Sequence, residues 1–311
     1  MKKTTLLPLI LSAMMLAACS SPSSSSAPAE SSSAPAATSS AAATSYDYPV
    51  KITFDYNYDG APAPVVVNSG LGAMLEMPET PRREGYRFFG WVKSLDNQIF
   101  DFEIPVLEHE DFTLSALWLA SDVKENVFEA EYCPCITDGQ GMQGSTYSGG
   151  TLGKGLISED LYGDYVASND FYVHYLYNNG NTLTFDIVSD KAVEGAILML
   201  RLSGEYRETF TINADKWHVR LNATEESDKG INYKPITFKY IPPQGGGGFP
   251  FTDYVISNVN LVEGNNKIEL ITDNTELMLG TAYSTAPMVD ALKLYSTSTL
   301  TWPTEKQSNI D

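Results

Sequence analysis

One carboxylate, Asp290, sits where a charge is costly, and two more, Glu129 and Glu131, share a strand face. In Val289-Asp290-Ala291-Leu292-Lys293-Leu294, the period of two of an extended chain puts Asp290 on the face of Leu292 and Leu294. A carboxylate among core leucines must be paired or bind a metal. Glu129 and Glu131 alternate in the same way, opposite Phe128, Ala130 and Tyr132. Clustered carboxylate oxygens suit Ca²⁺, but three acids alone underdetermine a site of roughly six to eight oxygen ligands. The same residues also read as solvent-facing glutamates and an aspartate that caps a loop.

Other signals do not develop into chemistry. Gly139-Gln140-Gly141-Met142-Gln143-Gly144 has the spacing of a dinucleotide fingerprint. A pyrophosphate, however, needs a strand before that loop and a helix start behind it, and the next residues are the loop-like Ser145-Thr146-Tyr147-Ser148-Gly149-Gly150. Cys133-Pro134-Cys135 reads as a thiol pair, a tight disulfide or half a metal site, with a Cα separation near the upper bound for a disulfide. The three histidines, His109, His174 and His218, have no zinc-ligand spacing, and there is no Gly-x-Ser-x-Gly elbow. No pair of carboxyls is placed across a cleft for glycoside cleavage. The expectation is a protein with no catalytic residues.

The elements that must position these residues are strands. Val50 to Tyr56 alternates, Asp59-Gly60 is a turn signal, Pro64 to Val67 is extended, and Phe112 to Trp118 alternates again. Beyond Ser121 the candidates are Phe128 to Tyr132, Thr182 to Ile187, Ala196 to Leu202, Glu208 to Ile212, Trp217 to Leu221 and Ile236 to Tyr240. They continue with Tyr254 to Val262, a turn at Glu263 to Asn266, Lys267 to Ile271 and Val289 to Tyr295. Short strands broken by Gly, Asn, Asp and Pro, with no amphipathic helix, point to a mainly β chain ending in a β-sandwich.

Ahead of them, Lys2 and Lys3 precede an apolar run from Leu6 to Met15, too short to span a bilayer, and then Leu16-Ala17-Ala18-Cys19. This segment resembles a bacterial lipoprotein signal. The resemblance implies cleavage before Cys19, lipidation there with a diacylglyceryl thioether, and a chain held outside the cytoplasm on the cell membrane surface. Two acyl chains anchor stably where one binds marginally. Residues Ser20 to Ser45 are almost wholly Ser, Ala, Pro and Thr, a composition that cannot offset chain entropy by burial. As a coil this linker would reach about 25 to 30 Å.

The run Pro81-Arg82-Arg83-Glu84-Gly85-Tyr86-Arg87-Phe88-Phe89-Gly90-Trp91 and the closing Leu114-Ser115-Ala116-Leu117-Trp118 resemble the internalin-type B-repeat, or Listeria-Bacteroides repeat. The likeness implies a β-grasp-like domain over residues 46–120, in which Tyr86, Phe88, Trp91 and Trp118 are core. Phe128-Glu129-Ala130-Glu131, Asn181 to Val188, Leu261 to Ile268 and Val289 to Leu294 resemble, in order, the family 6 and family 35 carbohydrate-binding modules. For residues 121–311 this implies a jelly-roll sandwich, a structural Ca²⁺, and first and last strands side by side, which would gather Glu129, Glu131 and Asp290 as its ligands. It also implies a sugar site in loops. There an aromatic ring stacks on a sugar's C–H face and polar groups take its hydroxyls, and the candidates are Trp217, Asp273, Asn274 and Tyr283. Where the family commonly has Asn just before the pair matched by Val289-Asp290, this chain has Met288.

The chain carries 20 Lys and Arg against 39 Asp and Glu, a formal charge of −19 that becomes −21 once Lys2 and Lys3 leave with the signal. Such a surface repels nucleic acid. The expected partners are a carbohydrate and, through its lipid, a membrane. The rival is an adhesin or assembly protein that meets another surface protein and binds no sugar, which Met288 favours. Replacing Cys19 with Ala should release the protein from washed membranes into the soluble fraction. Retention at high salt would show that something other than a lipid holds it.

Overall fold

The computed structural model describes residues 46, 48–133, 135–136, 151–154, 167–168, 171–174, 176, 179–204, 209–224, 230–231, 234–239, 251–273 and 286–303. Cys19, Asn274 and Tyr283 lie outside them, as do Tyr147, Tyr175 and the glycine run 245–248. Among the described residues no helix is long and apolar enough to cross a membrane.

The first four strands are β1 (Pro49–Asp55), β2 (Val65–Gly70), β3 (Tyr86–Lys93) and β4 (Phe112–Ala120). They form one sheet in the order β2-β1-β4-β3, with β1 and β4 parallel at its centre. That is the β-grasp-like pattern the motif implied. Alternation sends Val50, Ile52 and Phe54 inward from β1 and Leu114, Ala116 and Trp118 from β4. Trp91 fills the middle, edge-on to Phe54 at 4.9 Å and to Phe88 at 5.3 Å. The Trp118 indole N–H donates to Tyr56 O at 2.7 Å. Gly85, at φ 76°, makes the turn into β3 that a side chain would strain.

The remaining strands are β5 (Lys124–Glu129), β6 (Cys135–Ile136), β7 (Thr151–Lys154), β8 (Phe171–His174), β9 (Thr182–Ser189), β10 (Val193–Ser203), β11 (Phe210–Ile212) and β12 (Trp217–Leu221). They continue with β13 (Ile236–Phe238), β14 (Thr252–Leu261), β15 (Gly264–Thr272), β16 (Met288–Ser296) and β17 (Leu300–Thr301). One sheet runs β14-β10-β16-β8-β7 with β5 also on β16; the other runs β12-β15-β9-β17 with β6 also on β9. Their facing sides form one core, with Leu198, Leu200, Leu292 and Leu294 from the first and Leu183, Phe185, Val219 and Leu270 from the second. This is a β-sandwich. A two-stranded pair, β11 with β13, adds Ile212, Ile236 and Phe238 to the core.

The structure corrects four expectations. Tyr86, expected in the core of the repeat, is 41% exposed, with the Arg83 guanidinium 3.7 Å above its ring. The strand expected over Phe128 to Tyr132 ends at Glu129, and Ala130–Tyr132 is a single 3-10 turn. Glu129 and Glu131 therefore do not share a strand face, and Ala130 and Glu131 are buried in succession. The turn expected at Glu263 to Asn266 is shorter, because Gly264 at φ 88° already begins β15. Trp217, expected to meet a ligand, is 1% exposed inside the sandwich core. The alternation of β12 sends Trp217 and Val219 inward and His218 and Arg220 outward.

The two outer sides of the sandwich differ. The outer face of the β10–β16 sheet carries Met199 and Tyr295, which pack with Leu119 and Phe89 from the repeat-like sheet. Phe89 and Tyr295 meet edge to face at 5.1 Å. The outer face of the β12–β15–β9 sheet is polar.

Candidate functional site

Among the described residues, two polar clusters bear on the expected sites. The first surrounds Asp290. Along β16, β5 pairs up to Ala291 opposite Glu129, and β8 pairs at Val289 opposite Val173. First and last strands are therefore neighbours, as the resemblance implied. Across from them β10 pairs Arg201 with Ala291 and Leu202 with Val289, so Asp290 is the extra residue of a β-bulge. A bulge re-aims a side chain, and this one turns an Asp290 that is 0% exposed toward hydrogen-bond donors. The Arg201 Nε–H donates to its Oδ2 at 2.7 Å, and the Ser168 backbone N–H donates to the same oxygen at 3.0 Å.

The Ser168 hydroxyl lies 3.0 Å from Asp290 Oδ1 and 2.7 Å from Glu129 Oε2. One hydroxyl has one proton to give, so two carboxylate oxygens around it call for a further proton or a cation. Burial pushes the Asp290 carboxyl up from 3.8 to about 6. The Ser168 N–H and the Arg201 charge pull against that rise, and the Glu129 charge adds to it. Carboxylate and hydroxyl oxygens are the donors that Ca²⁺ takes. Among the described residues no group of three or more His, Cys, Asp or Glu side chains could hold a metal. Glu129 and Asp290 meet at Ser168, while Glu131 is fully buried in the adjoining 3-10 turn.

The second place is an open cleft of about 530 Å³ on the outer face of the β12–β15–β9 sheet. Register sets its floor. His218 faces Ile271, which faces Thr182; Arg220 faces Glu269, which faces Thr184. Its rim includes Asn179, Thr224 and Asp273. The His218 Nε2 to Asp273 Oδ2 distance is 3.6 Å. Backbone bonds fix this end, from Asp273 N to Lys216 O at 2.8 Å and from Gly180 N to Thr272 O at 2.8 Å. The Thr272 hydroxyl donates to Leu176 O.

Of the four residues expected to bind a ligand, the structure places Asp273 at the cleft and Trp217 in the core beneath it, with Asn274 and Tyr283 outside the described residues. Arg220 and Glu269 were not among the residues expected from sequence. Their signal is the alternation Trp217-His218-Val219-Arg220-Leu221, which marks the polar side of a strand with one face buried.

Residues 51–117 match the family model of the Listeria-Bacteroides repeat domain. The match runs from β1 into β4, so the repeat is the four-stranded sheet. No curated protein matches the chain. Among solved structures it is similar to a family 35 carbohydrate-binding module from Clostridium thermocellum, at 15% identity over 55% of this chain and 97% of that chain, with a TM-score of 0.32. It is similar to the CBM35 from Cellvibrio japonicus Abf62 at 13% identity, over 55% of this chain and 96% of that chain, with a TM-score of 0.26. A Podospora anserina GH26-CBM35 β-(1,4)-mannanase is similar at 16% identity over 58% of this chain, with a TM-score of 0.34, and the match spans 28% of that enzyme's length.

The raised Asp290 carboxyl fixes the sign of a pH effect. With divalent cations chelated, the folded state holds that proton more tightly than the unfolded chain does. Stability from this group therefore rises as pH falls through about 6 and is complete below the unfolded value. The ionised form costs roughly 3 kcal/mol at neutral pH. In chelator, the melting temperature of the wild type should gain on that of Asp290→Asn between pH 7.5 and pH 5. Parallel curves would show that Asp290 titrates as an ordinary carboxylate.

Proposed function

We propose that this chain is a non-catalytic carbohydrate-binding protein, held at the cell surface by lipid on Cys19, whose sandwich takes a glycan along the outer face of β12, β15 and β9. The observation that supports this reading is the cleft: acid and base side chains alternate there on rigid strands, Arg220 beside Glu269 and His218 beside Asp273. Each sugar hydroxyl both donates and accepts, so a surface offering both functions at close spacing suits a run of hydroxyls. Groups fixed on strands are also presented with little entropy left to lose. Asp273, at the end of the cleft, directly precedes the segment that carries Asn274 and Tyr283.

Titration calorimetry of the soluble Cys19→Ala chain against plant and host polysaccharides tests this reading. A binding glycan should lose about 1–3 kcal/mol of affinity on Arg220→Ala or Asp273→Ala at the cleft, and a similar amount on Tyr283→Ala if the ring stacks on the sugar. Loss with Tyr283→Ala alone would move the site from the cleft to the loop. No binding by any member of the panel, with a protein co-purifying instead, would support the adhesin reading.

Calcium belongs to the same proposal. Glu129 and Asp290, with the Ser168 oxygen between them, are the groups that would hold it, and it would share with Arg201 the neutralisation of Asp290. At pH 7.5, Ca²⁺ should raise the melting temperature over chelator, because a ligand of the folded state stabilises by mass action. Asp290→Asn should remove the gain. An unchanged melting curve would leave Asp290 held by Arg201 and Ser168 without an ion.

A further inference from the structure

The repeat and the sandwich are joined by Ser121, Asp122 and Val123 alone, between the end of β4 and the start of β5. Val123 is itself packed into the apolar seam between them, so the connection has no slack to serve as a hinge.

A second contact lies far from this connection in sequence. The chain turns back after β3 through Asn97, at φ 61°, and the turn lies against β14, an outer strand of its sheet. Gln98 and Tyr254 form an antiparallel bridge. The Ile99 N–H donates to Asp253 O at 2.8 Å and the Val255 N–H to Asn97 O at 3.0 Å. The Gln98 amide adds a bond to Thr252 Oγ1 at 3.0 Å. The bridge and its two backbone bonds seat the turn on the edge of the sandwich sheet at β14. Edge strands left open pair with other chains, and covering them is a known protection.

Ions hold the same joint. The Lys93 ammonium, 3% exposed, lies 2.9 Å from Glu108 Oε1 and 3.1 Å from Asp96 Oδ2. Lys239, from the sandwich, reaches the same Glu108 oxygen at 3.1 Å and Leu107 O at 3.1 Å. Burial works to raise the Glu108 carboxyl, but Lys93 and Lys239 outweigh it and hold the group below its ordinary value. At the other end of β13, the Lys234 ammonium donates to Asn97 Oδ1 at 2.9 Å and Ser94 O at 3.1 Å. Two sandwich lysines that flank β13 thus grip two separate segments of the repeat.

We propose that the β14 edge with Lys234 and Lys239 is a docking surface whose occupant is the Ser94–Glu108 segment of this chain's own repeat, and that repeat and sandwich therefore unfold as one cooperative unit. The repeat is a fixed wall of the sandwich, not a swivelling spacer.

Thermal unfolding of the soluble Cys19→Ala chain, followed by hydrogen exchange in peptides from β1 and β4 and from β9 and β15, tests this. Both sets should share one midpoint. Lys239→Met, a substitution in the sandwich that removes its bonds to Glu108 and Leu107, should lower the midpoint of the repeat and sandwich peptides by the same amount, on the order of 5 °C. Should that variant fail to fold, Lys234→Ala, which removes an exposed grip, should give a smaller joint shift. Two separate midpoints in the parent chain, or shifts confined to sandwich peptides in both variants, would overturn the proposal.

Discussion

The buried ammonium of Lys93 is the constraint on which the joint depends. An ammonium taken out of water at the end of β3 costs several kcal/mol unless its protons are all received, and the chain receives them locally, at Gln98 Oε1, Asp96 Oδ2 and Glu108 Oε1. Meeting that demand shapes the turn. Gln98 must come back toward Lys93, which bonds it twice, Lys93 N–H to Gln98 O at 2.9 Å and Lys93 Nζ to its side chain. The reversal passes through Asn97 in a left-handed conformation and turns the backbone C=O of Asn97 and N–H of Ile99 outward from the repeat. They are the groups that pair with β14. Hydrophobic burial is non-directional, whereas three acceptors at fixed positions leave the ammonium a single place.

The sandwich is asymmetric because of this joint. Its β10–β16 sheet packs on the core with one face and on the repeat with the other, whereas its β12–β15–β9 sheet carries the polar cleft on the face away from the core. The sequence records the difference. Ala196-Ile197-Leu198-Met199-Leu200 is a continuous apolar run, the mark of a strand buried on both sides, and Trp217 to Leu221 alternates, the mark of one half exposed. The run was legible as a strand. Its second meaning, that Ile197 and Met199 need a cover of their own, was not drawn from the sequence, because nothing in the run says that Phe89 and Leu119 will supply it.

Strand existence was legible where alternation is long, since alternation is a local property, and the short β6, β7, β8 and β17 were not read from it. Geometry that depends on neighbours was not. No local signal marks the bulge at Asp290, which arises because β10 holds register on either side of one extra residue. The 3-10 turn at Ala130 interrupts what reads as perfect alternation, and with it the expected pairing of Glu129 and Glu131 fails. Trp217 misled for the opposite reason. A tryptophan beside a histidine suggests a stacking platform, but its parity with Val219 already placed it inside. The cleft residues His218 and Arg220 follow from that same parity, so one correct reading of β12 would have exchanged a buried candidate for two that line the cleft.

Asp290 is the position where local rules are broken with the least return in stability. Its charge is buried at a cost that Arg201 and Ser168 do not fully offset, as the rise of its carboxyl to about 6 shows. An apolar residue of similar size would remove that cost, and the strand around it is otherwise apolar enough to accept one, with Val289, Ala291 and Leu292 all 0% exposed. The bulge that accommodates it also interrupts the pairing of β10 and β16, the two central strands of the sheet. Departures of this kind concentrate where a protein does something besides fold. The carboxylate stands where β5 hands over to β8 along β16, beside Glu129 and against Ser168. A positive charge or a proton arriving there would tie the first and last strands of the sandwich together at the point where the Ser168 hydroxyl already bridges Glu129 and Asp290.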